Sequence, residues 1–318
     1  MITISSKAKQ FLIAAAKLSI VVAAFYFIYA RLSDDPTLNW KTFNEKVQGK
    51  LTIISIAILL VMSFLNRFFE ILKWQNLVAS FRHITVGEAS KQVLGALTVS
   101  IFTPSGIGEY GAKALFYESA KRKKIVFLNL ISNGVQMILS IVFGIFGLLY
   151  FNAEYDIITK RTVIVLFAAF CLAGIISFAI KGVTIRGYSI EKLIQKINSI
   201  PTKIHQKNNI LAIARYLIFS HQYYFLFCIF DVTVPYFMLM ATIAAVYFLA
   251  SAIPTFQFLD FAVKGSVAVY FFTILNVPGW IPVFVTTLMW MLNVVLPVMI
   301  GSYYVIIFKP QWKQSQQL

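Results

Sequence analysis

Apolar residues fall in long runs along this chain, and polar residues gather between them. The runs occupy 11–30, 51–72, 125–151, 162–180, 210–230 and 281–308. Each is close to or above the roughly 20 residues that carry a helix across a bilayer core of about 30 Å, and none alternates with the period of two of barrel strands. Two further apolar regions, 85–120 and 235–275, are broken near their middles by Pro104 and Pro254. The pattern predicts an all-α polytopic membrane protein of about eight membrane segments, forming a single integral membrane domain over 1–318.

Composition strengthens that picture. The chain is 59% hydrophobic and only 13% charged, with a mean hydropathy of +0.78; a soluble domain carries nearer a quarter charged residues. The net charge of +16 does not point to nucleic acid, because the lysines and arginines stand at the ends of apolar runs. The run 11–30 follows Lys7 and Lys9, contains Lys17 and lacks a small-residue cleavage site, so it reads as a retained span. Cys171 and Cys228 lie inside apolar runs and are expected to be packed and buried. His83, His205 and His221 have no ligand spacing, and no metal or other cofactor is expected.

The flanking charges predict an orientation. With the N-terminus in the cytoplasm, the inner segments hold 16 lysines and arginines, among them Lys73, Arg82, the cluster Lys121–Lys124 and the basic connection 181–209; the outer segments hold 6. Both termini are therefore expected inside, in a bacterial-type cytoplasmic membrane, with 181–209 against anionic inner-leaflet lipids. Region 85–120 then begins and ends on the inner side. Its returning arm, 110–120, is about 16 Å long as a helix, half the core thickness, so a re-entrant hairpin is expected. Thr85 and Glu88 have capping-box spacing to start its entering arm. Region 235–275 begins and ends outside on longer arms. The halves 51–151 and 210–308 thus read as an inverted repeat.

The two hairpin tips share chemistry. Pro104 is followed by Glu109 and Lys113, and Pro254 by Asp260 and Lys264, a carboxylate with lysine four residues later in each case. In the first tip, T-P-S-G-I-G-E-Y-G-A-K, Pro104 and Gly106 break the helix, and Ser105, Gly106 and Gly108 suit a phosphate held by backbone amides. Lys113 adds charge, and Glu109 orients it or relays a proton; the competing reading is an internal salt bridge bracing the turn. The preceding helix stacks Ser63, Asn66, Arg67, Glu70 and Trp74 on one face. Arg67 has two readings, binding a lipid phosphate near the inner interface, or snorkelling and pairing with Glu70. Asn129, Asn133, Gln136 and Ser140 form a stripe expected to serve helix packing, Arg215 and His221 are weaker candidates, and Asn293 and Pro297 mark a kink.

On T-P-S-G-I-G-E-Y-G-A-K, the N-R-F-F-E-I-L-K-W helix and the eight-segment layout, residues 10–308 resemble the transmembrane region of lysylphosphatidylglycerol synthase, whose stand-alone versions are flippase-like membrane proteins. The family more often has arginine near the place of Lys113. Where it has a glycine-rich turn ending in glutamate, this chain reads I-P-T-F-Q-F-L-D, with Asp260 at the acidic position. The resemblance implies translocation of a lipid, and the aminoacyl-transferase domain of the full-length synthases has no counterpart here, so an enzyme is not expected. The expected cargo is an anionic phospholipid or a polyprenyl-phosphate-linked lipid. The alternatives are a membrane partner of a separate synthase or glycosyltransferase, an embedded lysyl or glycosyl transferase, and a small-solute secondary transporter. No G-x-x-x-x-G-K-[ST] loop suggests ATP hydrolysis.

Overall fold

The computed structural model describes residues 50–103, 106–159, 161–162, 189–253, 257–258 and 260–308. The expected span 11–30, most of 162–180, Cys171, and the tip residues Pro104, Ser105 and Pro254 lie outside the described residues. Among the described residues the fold is all-helical, with no strand.

Helix α1 (Ile53–Val78) begins at Thr52, whose hydroxyl accepts the Ser55 N–H at 3.2 Å. It outruns the apolar stretch 51–72 because N-R-F-F-E-I-L-K-W continues the helical period without a breaker. The predicted capping box opens α2 (Val86–Ser100): Thr85 accepts from Glu88 N at 3.1 Å, and Glu88 accepts from Thr85 N at 2.7 Å. The returning arm, α3 (Gly108–Ala114), has 7 residues. At about 10 Å it is shorter than expected. It stops because Tyr117 turns inward, where its hydroxyl donates to Gln92 at 2.8 Å. The 37-residue α4 (Ser119–Tyr155) takes the Lys121–Lys124 cluster into its first turns.

A short polar helix, α5 (Ile190–Asn198), leads into the second half, which opens with the 28-residue α6 (Thr202–Ile229). Helices α7 (Tyr236–Ala252) and α8 (Asp260–Ile274) form the second hairpin. The last run is α9 (Trp280–Trp290), a π-helical turn (Met291–Val295) and α10 (Leu296–Ile307). The expected irregularity at Asn293 and Pro297 is this turn.

Packing follows a paired scheme. Helices α1 and α6 lie antiparallel, with Lys50 at the start of α1 paired to Asp231 beyond the end of α6, and Asn76 near the end of α1 donating to Ile204 O at 2.8 Å. Around this pair α2 packs on α10 and α4 on α7, while α3 lies between α2 and α4 as α8 lies between α7 and α9. Both long contacts run through glycine. A Cβ at Gly301 would stand 2.3 Å from Leu94 O, and one at Gly147 would stand 2.4 Å from Ala241 O, so each pair of helices approaches at backbone distance.

The surface is apolar and the interior partly polar. Ile53, Phe64, Met137, Phe146, Phe237 and Tyr303 are exposed, while Asn66, Lys73, Lys113, Asn129 and Gln222 are buried. Three helices, Ile53–Val78, Ser119–Tyr155 and Trp280–Ile307 with its π turn, are long and apolar enough to cross a membrane. These are the marks of a membrane protein. One sequence expectation fails: Cys228 is exposed on α6, because that helix turns Leu226 and Phe227 inward and leaves the next position on its outer face.

Candidate functional site

The polar interior forms a layer between two apolar clusters. At one end Leu59 of α1, Phe151 of α4 and Tyr223, Leu226 and Phe227 of α6 pack together with α7, α8 and α9. At the other, Trp74 and Leu77 of α1 pack with Tyr117, Phe127 and Ile200. The same helices carry Asn66, Arg67, Glu70, Gln136 and Arg215 between these clusters.

Glu70 is the centre of the layer. Its carboxylate pairs with Arg67, one turn earlier on α1, and with Arg215 of α6 at 3.1 Å. Arg215 also donates through Nε to Asn66 Oδ1 at 3.1 Å and lies 3.5 Å from Gln136 Oε1. The second partner of Arg67 follows from the sequence of the last run. Pro297 has no N–H, so the carbonyls of Asn293 and Leu292 lose the donor that an α- or π-type turn would supply. Arg67 Nη2 donates to Asn293 O at 2.6 Å, and Ser63 Oγ donates to Leu292 O at 2.5 Å. Asn293 then bridges Asn66 at 2.6 Å and Gln222 at 3.0 Å, which ties α1, α6 and the π turn into one network.

Lys73 adjoins this network. It is 1% exposed and donates to Ser132 O at 3.1 Å and Gln136 Oε1 at 3.4 Å. Sequence reasoning counted it among the cytoplasmic charges and missed it as an interior cation. The available signal was its spacing: Asn66, Glu70 and Lys73 stand at i, i+4 and i+7 on a helix that has not ended. Gln136 and Asn129, read from the sequence as packing residues, meet the cations as well.

The first hairpin tip brings Glu109 and Lys113 together as an i,i+4 ion pair. Lys113, also 1% exposed, donates to Asn129 Oδ1 at 2.8 Å and stands 4.3 Å from the centre of the Trp74 ring. Four backbone amides of this turn are already engaged. Gly106 N donates to Thr103 O, Gly108 N to Thr103 Oγ1 at 2.9 Å, Glu109 N to Gly106 O and Tyr110 N to Ile107 O. Side chains, rather than the amides of Gly106 and Gly108, therefore supply the positive charge. Gly106 has φ +68°, a backbone that favours glycine, and a Cβ there would press within 3.3 Å of Gln257 Oε1.

Gln257 belongs to the second tip, and the Ser100 hydroxyl lies 3.0 Å from its side-chain oxygen, so the two tips meet. Asp260 and Lys264 form the corresponding ion pair, with Lys264 Nζ 4.6 Å from the centre of the Tyr247 ring. Lys264 lines a small pocket with Tyr223, Tyr247 and Phe272.

Among the described residues no group of His, Cys, Asp and Glu is placed to hold a metal ion. Comparison of the chain with protein-family models, curated proteins and solved structures gives no match.

Proposed function

We propose that this chain moves an anionic phospholipid or a polyprenyl-phosphate-linked lipid across the cytoplasmic membrane. The observation that carries the reading is the interior group of four basic side chains, Lys73 and Lys113 buried and Arg67 and Arg215 part-buried, inside a molecule with an apolar exterior. Isolated ions at membrane depth cost several kcal/mol each and persist where they pair or line a pathway. Glu70 and Glu109 hold Arg67, Arg215 and Lys113, and a phosphate supplies the counter-charge that the two carboxylates leave unmet. Its tails stay in the bilayer while its head crosses the layer.

The architecture in this proposal is the inverted repeat of about eight segments with both termini cytoplasmic. The paired packing supports it: exchanging α1 with α6, α2 with α7, and α4 with the α9–α10 run maps the contacts of one half onto those of the other. The motif resemblance to the flippase-like region of lysylphosphatidylglycerol synthases supports the same direction and rests on the residues quoted for it.

The reading is tested with full-length protein in liposomes carrying fluorescent phosphatidylglycerol or fluorescent phosphatidylcholine. Faster transbilayer movement of the anionic lipid is expected, and an Arg67→Gln/Lys113→Gln variant that still folds should lose that difference. Equal movement of both lipids by wild type and variant would remove anion handling from this layer.

A further inference from the structure

The charges of the polar layer do not balance. Counted at formal charge, four basic side chains, Arg67, Lys73, Lys113 and Arg215, face two carboxylates, Glu70 and Glu109, an excess of two. The Asp260–Lys264 pair is neutral in itself and leaves the excess unchanged. Both carboxylates are committed: Glu109 to Lys113, and Glu70 to two arginines at once. Lys73 makes no ion pair among the described residues; its partners are the neutral oxygens of Ser132 and Gln136.

Unused hydrogen-bond donors border the same cations. Arg67 Nε and Asn129 Nδ2 are buried without a partner, Asn129 being fully buried beside Lys113. Asn208 is also fully buried with both amide atoms unpaired. The α1–α6 pairings Asn76–Ile204 and Asn66–Arg215 set a register that brings Asn208 level with Lys73. Buried polar groups in folded proteins nearly always find partners, so several orphans around one charge cluster mark where a polar ligand belongs.

We infer that the layer is built for a dianionic phosphomonoester head group, in preference to the singly charged phosphodiester of an ordinary phospholipid. This deepens the lipid-translocation reading and rests on it. A phosphodiester cancels one of the two excess charges and leaves the other uncompensated in a low-dielectric interior. A phosphomonoester cancels both, and its three terminal oxygens offer acceptors for the ammonium of Lys73 and for the orphan donors.

The experiment measures binding to full-length protein in detergent at about pH 8, where a phosphomonoester with a second pKa of about 6 is dianionic. The probes are a polyprenyl monophosphate, phosphatidylglycerol and inorganic phosphate. Wild type should bind the lipid monophosphate about tenfold more tightly than phosphatidylglycerol. Lys73→Met, which lowers the excess to one, should bring the two lipids near parity. Glu109→Gln, which raises it to three, should widen the preference. The opposite directions separate a charge effect from general damage to the fold. Phosphatidylglycerol binding as tightly as the monophosphate, or a preference indifferent to both variants, would overturn the inference and leave the anionic-lipid reading intact. Inorganic phosphate binding as tightly as the lipid monophosphate would support the charge match and overturn the lipid reading. Binding of none of the three would overturn both.

Discussion

At the scale of single residues, Glu70 holds more of the interior together than any neighbour, because one carboxylate neutralises arginines from two helices. Removing its charge while keeping its shape leaves two part-buried guanidinium groups short of a counter-ion, a loss that approaches the roughly 3–5 kcal/mol of a broken buried pair only as an upper bound. Glu70→Gln is therefore expected to lower the thermal midpoint in detergent markedly, and Glu70→Asp by less; an unchanged midpoint would mean that Arg67 and Arg215 are held by Asn293 and Asn66 alone. The pairing of Arg67 with Glu70 was one of two readings open in the sequence, and its bond to Asn293 O was legible in principle once Pro297 was seen to strip a carbonyl of its donor. Lys73 was not read as interior because a lysine at the end of an apolar run resembles a topology signal, and local sequence does not reveal that α4 packs over it. The exposure of Cys228 was missed for a similar reason, since an apolar run identifies a membrane helix without saying which face meets lipid.

At the scale of elements, the hairpins show what patterning can and cannot give. The returning arm is short as the helical rise leads one to expect, though shorter than half the core, and the break in region 85–120 and its capping box follow from Thr85, Glu88 and Gly106. The early end of α3 does not, because it is fixed by Tyr117 reaching Gln92, which also takes the Trp74 indole N–H at 2.7 Å. Thr85→Ala removes the cap and should cost about 1 kcal/mol, seen as faster hydrogen exchange in the first turns of α2. The glycine contacts give a sharper test. Gly301→Ala and Gly147→Ala each force a methyl group against a neighbouring backbone carbonyl, and overpacking of that kind costs about 1–3 kcal/mol. Gly134 has open space around its would-be Cβ, so Gly134→Ala should be neutral or mildly stabilising in the same melting series. Equal effects at all three positions would argue against close α2–α10 and α4–α7 packing.

At the scale of the whole molecule, the apolar runs made the helical membrane class legible before any coordinates. The meeting of the two hairpin tips at Gly106 and Gln257 and the shared contact scheme of the two halves came only from tertiary packing. The Glu109–Lys113 pair belongs to the charged layer of the proposal, and the Asp260–Lys264 pair stands at the corresponding place on the second hairpin, so the proposal extends to it. The most direct measurement is transbilayer movement of a fluorescent anionic lipid in liposomes, with wild type beside Glu109→Gln/Lys113→Ala and Asp260→Asn/Lys264→Ala. Rapid movement by wild type and its loss in both folded double variants is the predicted result. Movement at the wild-type rate in both variants, or none above protein-free liposomes in wild type, would contradict the account.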